Sequence, residues 1–238
     1  MSDVASIWSY LSAGPLLWLS LTITAYLIAD GLAARLGRPA LANPVLIAVT
    51  LLAAMLFLTG TPYATYFEGA QFIHFLLGPA TVALAVPLHA NLSVIRRAAL
   101  PILAALVAGS VMAALSAVLL AKAFGLPEAV IISIAPKSTT APVAIGISEA
   151  LGGNLTLTAV LVIVTGIIGA ITVTPLMNAL GIRDWRARGL AVGIAAHGIG
   201  TARAFQVNEL AGAFAGIGLA LNALLTALLV PVVLWLVL

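Results

Sequence analysis

The chain has 238 residues, of which 63% are hydrophobic and only 7% charged, with a net charge of +3. Soluble domains carry about 25% charged residues, so this composition and a mean hydropathy of +1.22 exclude that class. The absence of cysteine removes disulfides, thiol chemistry and thiolate metal sites together.

Uncharged runs extend from Val4 to Ala29, Pro39 to Phe67, Gly69 to Ile95, Ala98 to Ala121, Ala150 to Ile182 and Leu210 to Leu238. Each is long enough for at least one spanning helix, which needs about 20 apolar residues. They do not alternate polar and apolar, which excludes a transmembrane β-barrel. The fold class expected is an all-α polytopic membrane protein. Its positive charges sit in short loops, so they read as topology signals facing a lipid bilayer, and no nucleic-acid partner is expected. Met1 to Asp3 lead into an apolar run without a basic leader or cleavage site, so no removable signal peptide is expected.

In chain order, a first helix is predicted from Pro15 to Ala34, ended by Arg35, Arg38 and Pro39. A second runs from Asn43-Pro44 to Leu58 and stops at Gly60-Thr61-Pro62. Tyr63 to Gln71, with Tyr66, Phe67 and Glu68, reads as an interfacial aromatic segment. Phe72 to His89 is apolar but punctuated by Gly78-Pro79 and Pro87, and Pro79 marks a predicted helix break. After Arg96 and Arg97 a continuous helix covers Ala98 to Lys122. Glu128 to Ala135 is only a half-length run, broken at Pro136, and a second half-length run follows from Pro142 to Ala150. Leu155 to Leu180 is a full helix. Gly189 to Ala196 is again half-length, with the break predicted at Gly198 and Gly200. Leu210 to Leu238 closes the chain, with a bend at Pro231.

The loop charges test this map. Arg35/Arg38, Arg96/Arg97 and Arg183/Arg186/Arg188 should all face the cytoplasm. Counting Glu128 to Ala150 as one crossing would put the last group outside. The conflict disappears if that segment enters and leaves on one face, or if its halves are separate crossings. The broken runs, each followed by a full helix, also predict a transporter-like bundle with discontinuous or re-entrant segments and inverted repeats.

Two broken stretches carry ionisable groups. Lys137 heads Ser138, Thr139 and Thr140 between Pro136 and Pro142; an unwound backbone, hydroxyls and an ammonium suit a carboxylate or phosphate. The bland alternative is a lysine snorkelling to the headgroups. In His197-Gly198-Ile199-Gly200-Thr201-Ala202-Arg203 the glycines permit close backbone approach, Thr201 adds a hydroxyl, and Arg203 offers a planar fork for a carboxylate. The competing reading is an ordinary loop arginine. His197 is either a proton carrier or a packing residue. His74 and His89 read as structural, and Asn43 and Asn222 as helix–helix hydrogen bonding. The acids, Asp3, Asp30, Glu68, Glu128, Glu149, Asp184 and Glu209, fall at helix ends or loops, so the cargo expected is an anion and not a cation. No Walker loop, zinc helix or nucleophile elbow occurs, and no enzyme activity, cofactor or metal is expected.

Several stretches carry a resemblance. They are Leu41-Ala42-Asn43-Pro44, Tyr66-Phe67-Glu68-Gly69, the run from Gly78 to Leu88, Pro136 to Pro142, Thr165-Gly166-Ile167-Ile168-Gly169-Ala170, and Arg188 to Ala204. In order and spacing the chain resembles the LrgB/CidB family, including its YohK-like bacterial members, over nearly its whole length. The resemblance implies one transmembrane domain over residues 1–238 in a multi-pass protein of the bacterial inner membrane. It also implies a small LrgA/CidA-type membrane partner and an antiholin-like or murein-hydrolase-regulating role. The plastid relative looks like a glycolate/glycerate translocator, and bacterial systems have been linked to pyruvate. Thr139 stands where the family has valine, Ala141 where it has threonine, and Ala196 where serine is common, so the hydroxyls are moved. The function expected is a secondary transporter of small monocarboxylates. Lys137 and Arg203 would neutralise the carboxylate, and Ser138, Thr139, Thr140 and Thr201 would supply hydroxyls near His197, Gly198 and Gly200. Small-residue faces, Gly212 with Gly216 and Ala104-Ala105 with Ala108-Gly109, permit a homo-oligomer.

Overall fold

Proline, glycine and asparagine punctuate this chain, and they decide where its helices begin and end. The computed structural model describes residues 14–76 and 92–238, with 79, 82, 83, 86 and 89 between them. The expectations resting on Met1 to Asp3, Gly78 and Pro87 lie outside the described residues. Pro79 itself is helical and exposed. The chain forms two compact units, Met1–Pro79 and Ala80–Leu238. Among the described residues there is no strand, and four helices are long and apolar enough to cross a membrane. The protein is an all-α polytopic membrane protein.

The first unit contains α1 (Pro15–Arg35), α2 (Pro44–Thr59) and α3 (Tyr63–Phe75). Pro15 starts α1 where its missing N–H costs nothing. Asn43 is a cap and not an interhelical bridge: its Oδ1 accepts from Val45 N (2.9 Å) and Leu46 N (3.2 Å). The aromatic segment is longer than expected and fully helical. Its Tyr66 meets the edge of buried Trp18 at 5.9 Å, and Gly69 lets the two backbones approach, because a Cβ there would strike Pro15 O and Trp18.

The second unit contains α4 (Leu92–Arg97), α5 (Ala99–Ala123), α6 (Glu128–Ile134), α7 (Ala141–Leu151), α8 (Leu155–Ala179), α9 (Trp185–Val207) and α10 (Glu209–Val237). The two half-length runs are re-entrant. On α6, Ser133 Oγ donates to Ala129 O (2.6 Å) and accepts from Asn154 N (2.8 Å), although the break and all of α7 separate Ser133 from Asn154 in sequence. The chain therefore enters along α6, turns at 135–140 and returns along α7. In α9, Ala196 (φ −130°, ψ 18°) and His197 (φ 41°, ψ −136°) abandon helical geometry. A Cβ on Gly200 would touch Val192, eight residues earlier, a contact that a straight helix rising about 1.5 Å per residue forbids. The break thus falls at Ala196–His197, whereas Gly198 and Gly200, the predicted break points, are helical. Glycine was the expected hinge because it tolerates positive φ, but here a histidine adopts it.

After this second hairpin α10 runs beside its first arm. Gly189 lies against Ala211 O and Gly193 against Ala215 O, so backbone meets backbone in one parallel seam. The expected dimer face at Gly212 is used internally, against Phe205. Lys122 Nζ donates to Val237 O at one end of the unit, whereas Arg97 and Arg186 border one groove at the other. The hairpin α6–α7 enters from the Lys122 end and α9 from the Arg97 end. Hairpin followed by spanning helix therefore occurs twice in opposite directions, as α6–α7–α8 and α9–α10. This is an inverted repeat. It also puts Arg97 and Arg186 at the same end, as the positive-inside rule requires.

Candidate functional site

Pro136 ends the first arm. It lacks an N–H and clashes with the preceding turn, so α6 stops at Ile134 and the chain closes on itself in tight turns, Lys137 N to Ile134 O (3.1 Å) and Thr139 N to Pro136 O (3.1 Å). Pro142 then sits at the start of α7, a position suited to it. Thr139 is fully buried, and Thr139 Oγ1 and Thr140 Oγ1 are buried with no hydrogen-bond partner. Lys137 is half-buried, and its Nζ donates to Ser138 Oγ (3.2 Å). Among the described residues both ion pairs lie elsewhere, Asp30 with Arg38 and Asp184 with Arg186. A partly desolvated ammonium, orphaned hydroxyls and the positive end of α7 meet at this tip.

His197 forms the second tip. Positive φ for a non-glycine residue stores about 1–3 kcal/mol unless neighbours fix it. Here they do. The buried ring donates from Nε2 to Val162 O (2.8 Å) on α8, and Gly166 leaves the space, since a Cβ there would lie 2.5 Å from His197 Cε1. A carbonyl oxygen only accepts, so Nε2 carries a proton, and in the neutral form of the ring Nδ1 is the acceptor. Thr201 Oγ1 donates to His197 O (2.8 Å) and so belongs to the turn. Gly200 provides close approach to Val192, and Gly198 has open space beside it.

Asn222, in the middle of α10, joins the two tips. Its Nδ2 donates to Ser138 O (3.1 Å) on the first and to Ile194 O (3.1 Å) beside the second. Its Oδ1 accepts from Ser110 Oγ (2.6 Å) of α5 and Thr226 Oγ1 (3.1 Å). This amide consumes carbonyl oxygens where the first arms end, while the second arms begin there with their positive N-termini. The junction is left rich in donors.

The structure therefore brings Lys137, Ser138, Thr139, Thr140, His197 and Thr201 to one junction. Arg203 stands apart from the turn, about 9 Å of helix rise beyond His197, half-exposed, with NH1 donating to Gln206 Oε1 (3.4 Å). Asn222 is the residue whose role the sequence reading underrated. Its signal was available as an amide in a long apolar run, where polar groups are costly and functional. Arg188 was placed in a loop but is buried. It stacks over Trp185 (4.7 Å) and donates to Thr174 O (3.2 Å) and Asn178 Oδ1.

Residues 22–236 match the sequence profile of the LrgB-like family. The chain belongs to this family. Among its LrgB-like relatives, the Bacillus subtilis protein YxaC is 38% identical over 91% of this chain and 94% of its own length. Holin-like protein CidB of Staphylococcus epidermidis is 34% identical over 94% of this chain and 96% of its own. Holin-like protein CidB of Staphylococcus aureus is 36% identical over 91% and 94%. No solved structure matches the chain. This is a multi-pass membrane protein of the LrgB/CidB type.

Proposed function

We propose that the protein is a secondary carrier for small monocarboxylate anions of the glycolate, glycerate, lactate or pyruvate type, bound where the two hairpin tips meet. The observation that carries this reading is the donor-rich junction: Lys137 without a carboxylate partner among the described residues, beside two buried hydroxyls that lack acceptors. An anion supplies what both need. Lys137 neutralises the carboxylate, Thr139 and Thr140 donate to carboxylate or 2-oxygen, and Arg203 draws the anion along the returning arm. His197 Nδ1 is the acceptor left for a proton or a substrate hydroxyl.

Flux of labelled glycolate, lactate and pyruvate into liposomes tests the proposal. A hydrogen bond to a charged group contributes about 1.5–3 kcal/mol, so Lys137→Ala should lower saturable uptake by ~10–100-fold, with Arg203→Ala lowering it less. Unsaturable leakage of unrelated solutes, unchanged by either substitution, would overturn the reading.

The second reading comes from the holin-like names of the CidB relatives. In it the protein modulates membrane lesions for murein hydrolases with a small LrgA/CidA-type partner, as a homo-oligomer or mixed assembly. Leakage that appears only when such a partner is reconstituted, and survives Lys137→Ala, favours it.

A further inference from the structure

We propose that the groove between α5, α9 and the start of α10 is the cytoplasmic vestibule of the anion site. This rests on the carrier reading above. The groove has a volume of about 960 Å3. Its mouth carries Arg97 and the Arg186–Asp184 pair, and its floor is made by Gly109, Ile194 and Ala195. Those floor residues are the back of the junction. Gly109 precedes Ser110, which bonds Asn222; Ile194 O accepts from Asn222; Ala195 precedes the Ala196–His197 turn. The groove thus ends where the tips begin.

Toward Lys122 the space beside the first hairpin is filled by a packed apolar cluster that includes Val118, Ile131, Ile147 and Val230, and Lys122 Nζ closes on Val237 O. Toward Arg97 a second apolar cluster, Ile102, Leu106, Leu190, Ile194 and Phe214, forms the wall of the groove. Charge fits the cargo as well. Asp184 is occupied by Arg186 at 2.7 Å, so Arg97 sets the sign of the mouth and concentrates anions there.

The chain contains no cysteine, so single-cysteine variants report on access without background. Ala195→Cys at the floor and Ala191→Cys on the wall, in membrane vesicles of both orientations, are treated with a membrane-impermeant anionic thiosulfonate and a cationic one. Both cysteines should react from the cytoplasmic face only, and glycolate should slow Ala195→Cys. Ala121→Cys, in the packed cluster toward Lys122, should react from neither. Adding Arg97→Gln should lower the anionic-to-cationic rate ratio by ~10-fold. Reaction of Ala195→Cys and Ala191→Cys from the outer face, or from neither face, overturns the vestibule. Wild-type uptake measured in parallel separates the two ideas: saturable uptake with inert cysteines sinks the vestibule alone, whereas one-sided labelling without wild-type uptake or glycolate protection sinks the carrier reading.

Discussion

Asn222 shows what a single amide does when its bonds cross elements. Both of its hydrogens go to main-chain oxygens that helical geometry has released, Ser138 O and Ile194 O, and its oxygen accepts from Ser110 and Thr226. Asn222→Ala leaves those two carbonyls buried and unpaired, at about 1–3 kcal/mol each. The expected outcome is a lower unfolding temperature in detergent together with lost uptake; an unchanged unfolding temperature would show that the tips do not depend on the bridge. Asp184 acts at the opposite kind of place, exposed at the start of α9. Its Oδ1 caps Arg186 N (2.8 Å) and accepts from Arg186 Nε, and these bonds hold its carboxyl at about 2, below the ordinary carboxylate range. The folded value lies beneath the unfolded one, so this stabilisation is complete above the unfolded value and fades as pH falls through about 2. Asp184→Ala should therefore lower the unfolding temperature slightly at neutral pH. Titrating both proteins downward should bring the two curves together below the ordinary carboxylate range.

At the scale of elements, the hairpins owe their form to different residues. Pro136 dictates the first turn outright, so the α6 break was legible in the sequence. The second turn was legible as a region but not to the residue. Two glycines advertised flexibility, yet the strain settled on His197, because only its ring reaches Val162 O across the gap that Gly166 leaves. Periodicity cannot reveal such a long-range partner. The same limit explains Arg188: its charge suggested a loop, and only the fold shows Trp185, Thr174 and Asn178 around it. The seam between the first arm of α9 and α10 depends on missing side chains. A Cβ on Gly193 would meet Ala215 O, so Gly193→Val must push the helices apart, with a cost of about 1–3 kcal/mol or more. Size-exclusion chromatography after detergent extraction should show a sharply reduced monodisperse fraction. A normal profile would mean that the seam is looser than this geometry allows.

For the whole molecule, the charge at the junction constrains how a carrier could cycle. Under the carrier reading, changing access requires an occluded intermediate from which water is expelled. In that intermediate an empty site leaves the Lys137 ammonium without counter-charge, since both ion pairs among the described residues lie elsewhere. A lone cation in the membrane interior costs at least about 2.5–3.5 kcal/mol, whereas a bound carboxylate cancels it. The loaded carrier should therefore reorient faster than the empty one, and exchange should outrun net movement. A difference of about 2.5–3.5 kcal/mol corresponds to ~50–400-fold in rate. Liposomes preloaded with unlabelled glycolate should accordingly take up labelled glycolate far faster than empty ones at the same membrane potential. Lys137→Gln, which removes the charge that penalises the empty site, should shrink that ratio while lowering affinity. Equal rates with and without internal anion, in a protein whose uptake saturates, would show that the ammonium finds its counter-charge elsewhere during the return step.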